Sequence, residues 1–80
     1  MYYVYILRSE NQPNEVYVGF TRDLKQRLLT HNSGGSPHTA KFRPWQIEFY
    51  CAFKREEKAI AFEDYLKSHS GEAFATKRFL

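Results

Sequence analysis

The 80-residue chain lacks several features that would have directed it elsewhere. It has one cysteine, Cys51, so no internal disulfide can form, and a reducing, cytoplasmic setting is expected. Cys51 itself reads as a strand residue packed inward. No apolar run approaches the ~20 residues of a membrane span. No charged-then-apolar leader precedes the first strand-like run, so a soluble protein with no membrane partner is expected. Repeats and low-complexity segments are absent, and the length leaves no room for a second core, so residues 1–80 read as a single domain. Acidic residues fall short of basic ones, giving a net charge of +3, which permits nucleic-acid binding without requiring it.

Aromatic residues are plentiful by contrast, with seven Phe, six Tyr and one Trp. A domain of this size buries only roughly 60% of its unfolded surface. Large rings are therefore an efficient way to build its core. Residues 2–8 and 15–21 are rich in β-branched and aromatic side chains, and Asn11-Gln12-Pro13-Asn14 between them is turn chemistry, so a β-hairpin is predicted. Thr21 reads as an N-cap with Asp23 in the first turn, and Leu24 and Leu28 set a helical spacing to about residue 32. Ser33-Gly34-Gly35-Ser36-Pro37 ends that helix, and the stretch to Pro44 reads as a loop with room for one helical turn at His38–Lys41. Trp45–Phe53 alternates as a third strand, with Ile47, Phe49, Cys51 and Phe53 on one face. A second main helix is expected from Lys54 to about Ser68, with Ala59, Phe62 and Leu66 inward. Gly71 then interrupts the pattern before a short helix near 72–78. The order ββαβαα predicts an α+β fold, a small three-stranded, mainly antiparallel sheet flanked by helices.

Several polar side chains sit where a core should be. Arg27 and His31 fall beside Leu24 and Leu28 on the first helix, and Glu63 falls inside the apolar arc of the second. An inward carboxylate needs a cation, a hydrogen-bonded partner or a metal. An ion pair with Arg27 would meet that need. So would a hard divalent ion, Mg²⁺ or Mn²⁺, sharing its shell with water and phosphate. Tyr5 and Tyr17 read as sheet aromatics, but Gly19 lies on Tyr17's face and would leave open space beside it. Tyrosines, an arginine, a histidine and a carboxylate together suit hydrolysis of a phosphate ester. In the loop, Lys41 and Arg43, with the hydroxyls of Ser33, Ser36 and Thr39, could hold a phosphate backbone or could be a plain solvated connection.

The joint spacing of these residues resembles the GIY-YIG nuclease domain, in its small stand-alone bacterial form related to the N-terminal endonuclease domain of UvrC. Tyr3-Val4-Tyr5 stands for Gly-Ile-Tyr and Tyr17-Val18-Gly19 for Tyr-Ile-Gly. Arg27, His31 and Glu63 match the family's arginine, its helix His-or-Tyr position and its metal-binding glutamate. His31-Asn32-Ser33-Gly34, Arg43-Pro44-Trp45 and Tyr65-Leu66-Lys67-Ser68 also read like small stand-alone members. The chain departs from the pattern at Phe20, where active members often carry lysine, at Phe62, where arginine often precedes the glutamate, and in having no asparagine after Glu63.

The resemblance implies metal-dependent hydrolysis of DNA phosphodiester bonds, as in DNA repair or recombination. Glu63 would hold Mg²⁺ or Mn²⁺, Arg27 the scissile phosphate, Tyr17 or His31 would act as base, and Tyr5 would orient water or phosphate. With no additional DNA-reading domain, cutting would be structure-selective or directed by a protein partner. Two rivals remain open: a non-catalytic nucleic-acid-binding module on the same fold, and a protein-interaction domain whose inward polar residues merely pair with one another. A monomer and a weak dimer are equally compatible with the exposed aromatics.

Overall fold

A computed structural model describes all 80 residues. Strands β1 (Tyr2–Ser9) and β2 (Val16–Thr21) form the predicted hairpin, followed by helix α1 (Leu24–Ser33), a short helix α2 (Pro37–Ala40), strand β3 (Trp45–Phe53), and helices α3 (Glu56–Lys67) and α4 (His69–Arg78). The sheet order is β2-β1-β3, and both pairings are antiparallel. The fold is therefore α+β, as the element order predicts. No helix is long and apolar enough to cross a membrane.

β1 is central because it can be buried on both faces: Val4, Tyr5, Ile6 and Leu7 are all buried. Strand alternation then divides the core in two. Val4 and Ile6 pack with Ala59, Leu66 and Ala75 under α3 and α4. Tyr5 and Leu7 pack with Trp45 and with Leu24, Leu28, Phe42 and Ile47, on the α1 side.

A bulge between the two halves of β3 changes one expectation. Ile6 pairs with Phe49 but Leu7 pairs with Ile47, so Glu48 has no opposite residue. Phe49 and Cys51 join the α3–α4 cluster as predicted, whereas Ile47 is turned to the α1 side. Strict alternation cannot survive an extra residue, so one strand serves both cores.

The caps differ from the sequence pattern in similar ways. Asp23, not Thr21, caps α1: its carboxylate accepts from the Gln26 N–H at 3.0 Å. Thr21 ends β2, and its hydroxyl accepts from the Asp23 N–H at 3.1 Å, shaping the turn. Gly34 closes α1 in the left-handed conformation, φ 85°. Gly71 does not interrupt the last helix. α4 begins earlier, at His69, with the Ser68 hydroxyl accepting from the Gly71 N–H. Gly71 lies so close to the Tyr65 carbonyl that a Cβ would collide with it, and this permits the tight corner between α3 and α4.

Candidate active site

Tyr5 and Gly19 are cross-strand partners, and the Tyr5 ring lies over Gly19 where a Cβ would collide with it. The space expected beside Tyr17 is thus filled by the Tyr5 phenol rather than left open. Three rings meet there. Tyr17 lies edge-on to His31 with centroids 5.1 Å apart, Tyr5 edge-on to His31 at 5.9 Å, and Tyr5 and Tyr17 are 6.4 Å apart.

Their burial is unequal. Tyr5 is 1% exposed and His31 0%, whereas Tyr17 is half-buried. His31 is the one fully buried residue of α1. Its two ring nitrogens are both engaged, Nε2 with the Tyr5 hydroxyl at 3.0 Å and Nδ1 with the Thr39 hydroxyl at 2.8 Å. Burial, then the nearby Arg27 charge, holds the imidazole below the usual histidine range. Burial pushes the Tyr5 phenol well above the usual tyrosine range. Tyr17 and, less strongly, Glu63 push it the same way, and Arg27 opposes them.

Arg27 stands on α1 and Glu63 on α3. Arg27 is exposed and takes part in none of the ion pairs, so its guanidinium donors are uncommitted. Glu63 is 18% exposed and bonds through one oxygen to Lys67 at 3.0 Å, one turn along α3. The cation that partners Glu63 is thus Lys67, not Arg27. Glu63's other carboxylate oxygen has no bonded partner. No group of three or more His, Cys, Asp or Glu side chains comes together anywhere in the molecule. A zinc-type ligand cage does not fit that donor set. A hard ion that keeps most of its shell as water and phosphate does fit it.

The loop residues separate. Lys41 is exposed, over the Phe42 ring at 5.2 Å, and Arg43 is exposed with its guanidinium packed on Gly34. Ser33 is exposed, and its hydroxyl donates to the Thr30 carbonyl of its own helix. Thr39 is only 1% exposed, so it does not reach a phosphate backbone. Its hydroxyl faces His31 and the Ser36 carbonyl. A residue expected on a nucleic-acid surface belongs instead to the buried network beneath it.

Sequence reasoning missed the residues that hold this network in place. The Trp45 indole N–H donates to the Thr39 carbonyl at 2.9 Å. The Asn32 side chain bonds the Trp45 backbone at both its N–H and its C=O, clamping the end of α1 to the start of β3. Ser9, buried at the end of β1, donates to the Phe42 carbonyl at 2.6 Å. Asn32 and Trp45 lie in segments that carry the family resemblance. That was the only signal, because neither residue interrupts an apolar pattern.

The GIY-YIG catalytic domain matches residues 1–77. A UPF0213 protein from Pediococcus acidilactici is 38% identical over 72 residues, spanning 86% of this chain and 71% of its own length. Another from Bacillus pumilus is 34% identical over 68 residues, spanning 84% and 67%, and one from Streptococcus pyogenes is 36% identical over 66, spanning 81% and 70%. The match spans nearly the whole chain, and the chain belongs to the GIY-YIG family, whose domains carry nuclease-type chemistry on DNA.

Proposed function

We propose that this protein is a divalent-metal-dependent endonuclease that hydrolyses DNA phosphodiester bonds, selecting its substrate by DNA structure or through a protein partner. The observation that carries this reading is the ring cluster around Tyr5. A half-buried phenol, Tyr17, packs against the Tyr5–His31 pair, the helix that supplies His31 also carries an uncommitted guanidinium, Arg27, and α3 carries a partly buried carboxylate, Glu63.

Arg27 binds the scissile phosphate and offsets the charge that builds as water attacks in line. Tyr17 is the base, because it is the phenol with access to solvent. Tyr5 and His31, sealed together, orient Tyr17 from below. Glu63 and its Lys67-bonded carboxylate would hold Mg²⁺ or Mn²⁺. Such an ion, when bound, supplies positive charge to the leaving 3′ oxygen. Lys41 and Arg43 extend the phosphate contacts away from the scissile bond. A role in DNA repair or recombination would follow from structure-selective cutting.

The test is cleavage of flaps, bubbles, single strands and duplexes with Mg²⁺ or Mn²⁺, alongside Glu63→Gln. Cleavage by the natural protein is expected to fall by at least about 100-fold in the variant, the scale of losing a charge-stabilising group, with DNA affinity largely kept. Salt-sensitive binding without cutting of any substrate would instead make it a non-catalytic nucleic-acid-binding module.

A further inference from the structure

The buried chain Tyr5–His31–Thr39–Ser36 has a direction that the positions of its heavy atoms determine. Tyr5 is sealed from water, and the only hydrogen-bond partner of its hydroxyl is His31 Nε2. A neutral buried phenol must place its proton on an acceptor, or it pays for an unsatisfied donor. Nε2 must then be the lone-pair nitrogen. A neutral imidazole carries one N–H, so that N–H is on Nδ1 and points at Thr39 Oγ1, 2.8 Å away. Thr39 Oγ1 accepts it and turns its own proton to the Ser36 carbonyl at 3.3 Å, the backbone bond that threonine commonly makes in a helical turn. A carbonyl can only accept, so reading from the Ser36 end gives the same polarity as reading from Tyr5. No buried side-chain polar atom in the molecule is left without a partner.

We infer that Thr39 is a positioning residue that locks His31 in its Nδ1–H tautomer, so that the imidazole holds the Tyr5 hydroxyl proton and the base for the reaction is left to Tyr17. This deepens the endonuclease reading and rests on it for the catalytic consequence only; the tautomer stands on the geometry alone. Thr39 is itself held rigidly, because the Trp45 indole N–H fixes its carbonyl while the hydroxyl serves His31. Arg27 is the charged group bearing on His31, and Tyr5 and Tyr17 are the titratable ones that face it. Tyr5 sits at the other nitrogen, and the hydrogen-bond partner of Nδ1 is Thr39 Oγ1.

The experiment compares the natural protein with Thr39→Ser, which keeps the hydroxyl, and Thr39→Val, which removes it at similar volume. ¹⁵N-detected correlation of the imidazole in the free proteins near pH 7 reads the tautomer without reference to activity. A single Nδ1–H tautomer is expected in the natural protein and in Thr39→Ser, and its loss or mixing in Thr39→Val. An Nε2–H tautomer or an imidazolium in the natural protein would overturn the inference, as would an unchanged tautomer in a folded Thr39→Val. Should Thr39→Val not fold, the natural protein and Thr39→Ser still decide the matter. Where cleavage is present, kcat in Thr39→Val is expected to fall about 10- to 100-fold with KM little changed, and to recover in Thr39→Ser, the scale of a misplaced catalytic group. Absence of cleavage in the natural protein together with the expected tautomer would sink the endonuclease reading and leave this one intact.

Discussion

His31 shows how far one residue's environment can shift its behaviour. Its imidazole is enclosed and near the Arg27 charge, and both conditions favour the neutral form. In the unfolded chain it takes up a proton near pH 6.5, and in the folded protein only at lower pH. Between those values the unfolded state binds the extra proton, so folding stability rises with pH there. The stabilisation from neutral His31 is therefore complete above about pH 6.5 and is lost as pH falls through the folded value. Urea midpoints measured from pH 7.5 down to 5 should decline more steeply in the natural protein than in His31→Gln, which has no group to titrate. Parallel profiles would contradict this account. Tyr5 is the complementary case: its raised pKa keeps the phenol protonated through the whole neutral range, as its bond to His31 requires.

Among the elements, the corners matter most. α3 meets α4 at Gly71, where only a hydrogen fits against the Tyr65 carbonyl. Gly71→Ala should destabilise the protein by about 1–3 kcal/mol or more, the usual cost of overpacking, because backbone rather than a movable side chain is in the way. Ala73→Ser, exposed on the same helix, should stay within about 0.5 kcal/mol. Chemical denaturation reads both. Asp23→Ala should cost about 1 kcal/mol by removing the cap that starts α1, the helix that carries Arg27 and His31. Helix and strand existence was legible from apolar spacing, but these corners were not. Thr21 and Asp23 are both good cap residues, and the choice between them depends on where β2 leaves the sheet. Gly71 looks like a breaker until the neighbouring helix is known to press against it.

For the whole molecule, the net charge is a modest +3, and under the proposed reading DNA affinity comes mainly from phosphate contacts made by cations outside the ion pairs. With Arg27, Lys41 and Arg43 as about three such contacts, affinity should fall about 10- to 100-fold between ~50 and ~200 mM salt. Lys41→Ala and Arg43→Ala should each lower the salt slope by about 1, with little change in sequence preference. Fluorescence anisotropy on a labelled flap at several salt concentrations measures this. A salt-independent affinity would mean that binding does not rest on the phosphate backbone.

The hairpin, the third strand, the helices and the family were all determined by the amino-acid sequence, because each rests on local spacing: alternation by two, apolar recurrence at three and four, and motif residues at set intervals. Tertiary structure alone decided which partners those residues take. The bulge at Glu48 put Ile47 on the opposite face from Phe49, cross-strand register filled the space above Gly19 with Tyr5, and Lys67 rather than Arg27 took Glu63. His31 bonds residues 26 positions before it and eight after it. Periodicity says which way a side chain leaves its own element, but not what stands opposite. Pairing across such separations is set only when register and packing are complete.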